Sequence, residues 1–474
     1  MSNERHEFAI VGGGPAGMAA AITAAELGVD TILLDEQGVP GGQIYRNIEA
    51  IAERGEWNVL GEEYRRGAEL AREFRACCAI YRPSTSVWQA APDGRIGVIS
   101  DDGARMIRAE RILLATGALE RPVAVPGWTL PGVMGAGAAQ AALKASGLVP
   151  DVPVVIAGSG PLIYLVASQL VRAGSTVAAL LVTTPANRIA GALRELPRAL
   201  LGGRGLVKGI GWMTEVRRAG IQSVSGVGGL RIEGDGQAEA VSYEAEGTRK
   251  RIDAGLVLLH EGVIPNLQLS LSVRCRHVWD EAEACWRPES DEWGATSEGR
   301  IAVAGDGGGI RGAEAAEPLG RLAALDAAFR LGRIDRAERD RRGRAERRVL
   351  ARLGRIRPLI ERMFRPVPEM LAPPEAATVV CRCEEVTVEM LRAAVRLGAD
   401  DPNRAKTFTR SGMGPCQGRM CGPTVAAVIA RESGRETAAV GNYRIRIPVK
   451  PLPLAALALL EGEADDLPGE EVLR

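Results

Sequence analysis

Residues 8–35 read FAIVGGGPAGMAAAITAAELGVDTILLD, and this stretch decides the fold. Phe8, Ala9, Ile10 and Val11 form a short apolar strand pattern that runs into GGGPAG, with Gly12, Gly14 and Gly17 at the three positions of a GxGxxG loop. An Ala-rich helical run, residues 18–27, follows directly, and TILLD then reads as a second strand ending in the acid Asp35. Each residue type has a task. One glycine makes the tight turn, one lets the backbone approach a pyrophosphate, one permits close helix–sheet packing, and the acid accepts ribose hydroxyls. A bare GxGxxG is weak evidence. Strand, glycines, helix, strand and acid in register predict an α/β, Rossmann-like dinucleotide unit.

A second, imperfect copy begins near residue 152. VVIAGSGPLIYLVASQLVRAGSTVAALLV aligns with the first so that Gly158 and Gly160 match Gly12 and Gly14, but Ile163 replaces Gly17 and Leu181 replaces Asp35. A branched side chain stands where close packing is wanted, and no carboxylate awaits a ribose. The fold of a nicotinamide domain is expected here with its ordinary NAD chemistry impaired. Arg188 is the one candidate for a 2′-phosphate, and a solvated arginine is the competing reading. The apolar run 152–171 is long enough to suggest a membrane span, but its GSGP turn and Arg172 fit a buried strand and helix instead.

Further along stand Gly41-Gly42-Gln43, then RILLATGALERP, and then GRIAVAGDGGG with Asp306. In that order these segments resemble the two-dinucleotide-domain flavoprotein oxidoreductases, the glutathione and thioredoxin reductase superfamily, over residues 7 to about 330. The resemblance implies FAD in the first unit. It assigns FAD contacts to Gly12, Gly14, Pro15, Ala16, Gly17, Asp35 and Glu36 in the loop and its acid, to Gly42 and Gln43, to Ala115, Thr116 and Gly117, and to Asp306 near the ribityl and phosphate region.

The redox dithiol of the disulfide reductases in that superfamily is missing. Cys77 and Cys78 are adjacent, a poor geometry for a disulfide, and Cys275 and Cys285 lie nine residues apart without a motif, so packing roles are expected for all four. His260, in LLHEGVIPN, follows a buried-strand pattern and reads either as a flavin-domain contact or as structural. His6 and His277 are the other histidines, and no Ser-His-Asp or paired-carboxylate constellation is visible, so no catalytic residue is assigned.

The remaining four of the eight cysteines carry a second redox signal. Cys381-x-Cys383 and, after a gap of 32 residues, Cys416-x-x-x-x-Cys421 sit in turn-prone segments, CRCEE and SGMGPCQGRMCGP. Two such pairs supply the four thiolates of a 2Fe-2S cluster, with the CxC pair expected on one iron. Zinc is the competing reading, since four thiolates also close a tetrahedral site, although structural zinc usually takes CxxC loops. Unliganded thiols are the third. Disulfides fare worst, because cysteines are few and nothing at the N-terminus resembles a secretory signal; a reducing cytoplasm is expected.

Composition fits a large enzyme of two to four domains. In 474 residues, 59 basic and 59 acidic side chains give no reason to invoke nucleic acid or an acidic membrane surface. Residues 333–365 hold 13 arginines against five acids and read as a basic helical segment, either a solvated face or a docking surface. RPVPEMLAPPEAA then reads as an extended Pro-rich linker.

The two ends taken together narrow the resemblance. An FAD unit followed by CRCEEVT, RSGMGPCQGRMCGPT and a tail like RIRIPVKPLPLAALA is similar to the alpha subunits of bacterial opine oxidases, the B subunit of hydrogen cyanide synthase, and heteromeric D-hydroxyproline and proline dehydrogenases. The cysteine region resembles the bacterioferritin-associated ferredoxin type of 2Fe-2S domain, to which Cys381, Cys383, Cys416 and Cys421 carry over. Its CxxxxC replaces the usual CxxC, a departure shared with the amino-acid oxidase branch. The implied division is an FAD domain at 1–150 and 255–332, a degenerate nucleotide domain at 151–254, the basic segment and linker at 333–377, a helical 2Fe-2S domain at 378–440 and a tail at 441–474.

The implied function is that of the FAD-dependent subunit of an oxidoreductase acting on CH-NH or CH-NH2 donors. Its partners would be a D-amino-acid-oxidase-like flavoprotein subunit, where the amino or imino acid is oxidised, and a small ferredoxin-like subunit, with FMN at a subunit boundary in some relatives. In related complexes the pocket of the alpha subunit holds an adenine nucleotide instead of FAD. A peripheral position at the inner face of the membrane would arise only through the complex. The alternatives are a self-sufficient NAD(P)H-dependent reductase, which needs a working second unit, and a non-catalytic redox scaffold.

Overall fold

The computed structural model describes residues 4–460 apart from 56, 62, 203, 204 and 459. The end of the tail, residues 461–474, lies outside the described residues.

The first strand is Arg5–Val11, central in a seven-stranded sheet and parallel to both neighbours, Thr31–Leu34 and Gly103–Leu114. Phe8, Ala9 and Ile10 are buried, as a parallel strand covered on both faces requires. Helix Pro15–Glu26 leaves the glycine loop and packs along helix Ala313–Arg330. Small residues permit that closeness: a Cβ on Gly320 would lie 2.0 Å from the Ala16 carbonyl oxygen. An antiparallel pair, Ser86–Ala90 and Arg95–Ser100, extends the sheet. Strand Ile301–Val303 returns to pair in parallel with Gly103–Leu114, which delivers Asp306 to the glycine loop.

The second copy forms a five-stranded sheet around Val154–Ser159, flanked in parallel by Val177–Val182 and Leu256–Glu261. A register irregularity between Val177 and Ala179 moves the pairing by one residue, so Gly158 stands opposite Val182 and not Leu181. In the first copy Val11 stands opposite Leu34, which puts Gly12 beside Asp35. Val182 is therefore the structural counterpart of Asp35, a correction of one residue that leaves an apolar group in the acid's place.

The basic segment forms helices Arg336–Leu353 and Arg357–Phe364. Asp335 caps the first by accepting from Glu338 N at 2.8 Å. One face of that helix is packed, not solvated. Gly343 is buried because the Trp293 ring leaves no room for a side chain, an added Cβ lying 2.7 Å from the ring. The guanidiniums of Arg339 and Arg347 lie 4.3 and 4.5 Å from the Trp293 ring centroid, and Arg339 pairs with buried Asp326 at 2.8 Å.

The Pro-rich stretch contains a short helix, Pro368–Leu371, and leads to the hairpin Val379–Cys381 and Val386–Thr387 and to helices Val388–Arg396, Pro402–Thr409 and Gly422–Ser433. It does not hold the cysteine region apart. Val87, Ala90, Leu269 and Val273 share one apolar cluster with Val380, Leu391 and Ile429. Trp128 Nε1 donates to the Val379 carbonyl at 2.6 Å, and Arg382 stacks over the same indole.

Candidate functional site

The first glycine loop is a cradle that side chains would fill. Gly12 has φ +111°, and a Cβ there would lie 2.5 Å from the Ala115 carbonyl oxygen. A Cβ on Gly17 would lie 1.9 Å from the Gly12 carbonyl oxygen, which is the close packing the motif needs. Gly14 begins helix Pro15–Glu26, whose free N–H groups favour an anion. Gly42 comes against Gly14, where a Cβ would sit 2.8 Å from the Gly14 Cα, and Gly41 N donates to Gly13 O at 2.8 Å. Asp306 lies in the turn Gly305–Gly308, its Oδ1 accepting from Arg311 N and Gly312 N at 2.8 and 3.0 Å. Gly307 in that turn faces Thr116 and Gly117.

Asp35 decides what this cradle lacks. It is 5% exposed; Oδ1 accepts from Gln37 N at 3.2 Å, and Oδ2 has no partner. Burial pushes its carboxyl up to about 6, against the backbone N–H groups of residues 37 and 13 and the charges of Arg46 and Lys450. A buried acceptor without a donor is costly, and ribose hydroxyls are donors. Cradle and acid fit the ADP half of a dinucleotide. Glu36 pairs with Lys450.

The second loop is furnished differently. Ala115 follows Leu114, the partner of Val11, whereas His260 is the partner of Gly158; thus His260, Glu261 and Gly262 occupy the places of Ala115, Thr116 and Gly117. The His260 ring lies beneath the loop, its Nε2 3.2 Å from where a Gly160 Cβ would be, and its Nδ1 meets Glu120 Oε1 at 2.6 Å. That carboxylate also accepts from Gly137 N at 3.0 Å. Glu261 is buried, accepts from Thr183 Oγ1 at 2.6 Å and leaves Oε2 unpartnered; burial pushes it up to about 7. The imidazole thus lies against the second glycine loop, and Glu120 holds it from the other side. Ile163 is fully buried in the core beside them.

The four C-terminal thiols lie close enough to act on one another. Cys421 acts on the charge of Cys381, both Cys416 and Cys381 act on that of Cys383, and both Cys381 and Cys416 act on that of Cys421. The strand ends at Cys381, and the turn that follows carries Cys383. Among the described residues no three His, Cys, Asp or Glu side chains are disposed around a single ion. Cys381 is held down at about 5 by the hydrogen bond from Cys421 and, against burial, by the backbone N–H groups of residues 412, 384 and 383, while the same contact and burial drive Cys421 upward. Gly414 lies against Cys383, a Cβ there falling 2.2 Å from the cysteine Cβ. Cys381 and Cys421 are buried, Cys416 is half-buried and Cys383 is exposed.

The profile of the pyridine nucleotide-disulphide oxidoreductase family matches residues 6–320, and that of the sarcosine oxidase A3 domain matches residues 376–459. The A subunit of opine oxidase from Agrobacterium tumefaciens (strain Ach5) is 43% identical over 96% of this chain and 92% of its own length. The chain belongs to the family of opine oxidase A subunits. Hydrogen cyanide synthase subunit HcnB of Pseudomonas aeruginosa is 36% identical over 96% of this chain and 99% of its own. The crystal structure of L-proline dehydrogenase from P. horikoshii shares the fold, with a TM-score of 0.67 at 20% identity over 96% of this chain and 80% of that one. This is a family of flavin oxidoreductases, and FAD is the cofactor its members' fold supports.

Several residues at the first cradle had no signal in the sequence. Lys144, in helix Ala136–Ser146, is buried and donates to the carbonyls of Gln43 and Ile44 at 3.2 and 3.0 Å; burial, with Arg46 nearby, pushes it down to about 7. Arg46 donates to Gln37 and Gln43 at 3.0 and 3.1 Å, so Gln43 faces this arginine. Asn266 exchanges contacts with Gly117 and Thr116. Of the four cysteines assigned to packing, Cys275 and Cys285 are buried, Cys77 is half-buried and Cys78 is exposed, which removes a packing role for Cys78. Among the described residues no helix is long and apolar enough to cross a membrane.

Proposed function

We propose that this chain is the flavin and iron-sulfur subunit of a heteromeric amino or imino acid dehydrogenase, relaying electrons from a D-amino-acid-oxidase-like partner to an acceptor through a small ferredoxin-like subunit. The observation that carries the reading is the contrast between the two glycine loops. The first offers a cradle and an unpartnered acid to a dinucleotide, while the second has His260 against its loop and Val182 in the place of the acid. A chain with one receptive loop has a place for FAD and none of the usual kind for a nicotinamide hydride donor.

Gly12, Gly14, Pro15, Ala16, Gly17 and Asp35 would hold the ADP half, with Ala115, Thr116, Gly117 and Asp306 toward the other end. Cys381, Cys383, Cys416 and Cys421 would hold a 2Fe-2S cluster, four thiolates being the donor set such a cluster takes. FAD exchanges electrons in ones or twos and the cluster in ones, so together they connect a two-electron donor to a one-electron acceptor. Exposed Cys383, with Met413 and Met420 exposed near the second pair, supports electron exit at that face. Opine oxidase and hydrogen cyanide synthase subunits among the relatives support a donor of the CH-NH or CH-NH2 class and a multisubunit assembly.

Co-purification from the native host tests the assembly. A D-amino-acid-oxidase-like flavoprotein recovered in stoichiometric amount supports it. A homogeneous homo-oligomer with full substrate turnover would refute it.

A further inference from the structure

The C-terminal residues 443–450 touch both expected cofactor sites. Tyr443 is buried among the cysteine loops, its ring taking the space beside Gly412 and Gly418, where an added Cβ would lie 2.7 and 2.4 Å from ring carbons. Its hydroxyl donates to Ser411 Oγ at 3.0 Å. Further on, Gln417 Nε2 donates to the Pro448 carbonyl at 2.6 Å and Arg419 Nη2 to the Val449 carbonyl at 3.2 Å. Both donors belong to the loop between Cys416 and Cys421. Val449 is 2% exposed and its N–H donates to the Trp88 carbonyl at 2.9 Å, on the edge strand Ser86–Ala90. With its neighbour fixed in this way, Lys450 is aimed at the nucleotide acids. It forms an ion pair with Glu36 and lies close enough to Asp35 to act on its charge.

Asp35 and Glu36 are adjacent acids at the carboxyl end of strand Thr31–Leu34. Two carboxylates together repel each other and a phosphate-bearing ligand. A cation that draws Glu36 aside leaves Asp35, with its unpartnered Oδ2, as the acceptor for ribose hydroxyls. We propose that residues 443–450 form a strap belonging to the nucleotide site: Lys450 is a positioning residue for the ribose-binding acids, and through Gln417 and Arg419 the strap makes dinucleotide retention and cluster retention depend on each other. The proposal rests on the FAD and cluster reading above.

Two rates test it in the purified full-length chain, FAD release followed by fluorescence in mild chaotrope and cluster bleaching by an iron chelator followed in the visible. Lys450→Met should release FAD about fivefold faster, the effect of losing one half-exposed charge contact, and Lys450→Arg should restore the wild-type rate. Stripping FAD should speed bleaching in the wild type and have no effect on bleaching in Lys450→Met. Unchanged FAD release in Lys450→Met, or bleaching that still responds to FAD in that variant, would overturn the strap. If the wild type carries no flavin, the FAD reading fails by itself. Equilibrium dialysis with ADP then decides the strap: a fivefold weaker affinity in Lys450→Met upholds it and an equal affinity rejects it.

Discussion

At the scale of single residues, Gly17 and Asp35 bear most on the first site. An isoleucine at Gly17, the residue its counterpart carries, would drive a side chain into the Gly12 carbonyl oxygen 1.9 Å away, so Gly17→Ile should purify with almost no FAD. Asp35→Ala should weaken FAD by about 2 kcal/mol, the worth of a hydrogen bond to a charged group; flavin absorbance per chain measures both. Because burial pushes Asp35 up to about 6, the carboxylate that accepts ribose hydroxyls is lost as pH falls through 6. FAD affinity should therefore fall below pH 6 in the wild type and lose that dependence in Asp35→Asn. Glu261 gives the opposite kind of test. Its folded-state value of about 7 lies above its unfolded one, so folding favours the protonated form and stability falls as pH rises from about 4.5 to 7. Glu261→Gln should raise the melting temperature at pH 8, by up to about 3 kcal/mol of stability, and leave it unchanged at pH 4.

At the scale of elements, the arginine helix shows what a charge pattern hides. Thirteen arginines suggested a solvated face, but Gly343, the one glycine inside helix Arg336–Leu353, marks the side that meets Trp293. Trp293→Ala should destabilise the protein by about 3–5 kcal/mol through the cavity and the two lost guanidinium stacks. Exposed Arg344→Ala should cost less than about 0.5 kcal/mol, and thermal denaturation separates the two. The first strand–loop–helix was legible because its demands are local: the backbone at Gly12 and the packing at Gly17 are set within six residues. Lys144, His260 with Glu120, and Lys450 with Glu36 were not, since each pair or contact joins segments about 100 or more residues apart. Counting from the glycines sets Leu181 against Asp35, but the register irregularity at Val177 and Ala179 makes Val182 the counterpart. The cysteines were legible as a set.

At the scale of the whole molecule, the cysteine region is welded to the sheet through a shared apolar core and the Trp128–Val379 contact. Cys416→Ser should remove the cluster's visible absorption and reduced-state EPR signal. That chain should keep its secondary structure but not behave as an independent body, so its unfolding should remain a single transition by circular dichroism. Stoichiometric zinc and no iron in anaerobically prepared wild type would refute the cluster. On the proposed function the chain is a conduit whose electrons come from a partner. Anaerobic stopped-flow absorbance of the flavin tests this most directly, with the purified chain mixed first with NADH or NADPH and then with its partner flavoprotein plus an amino or imino acid substrate. Slow bleaching with either nicotinamide and rapid bleaching only with partner and substrate together is the predicted result; rapid bleaching of the lone chain by NADH or NADPH would contradict it.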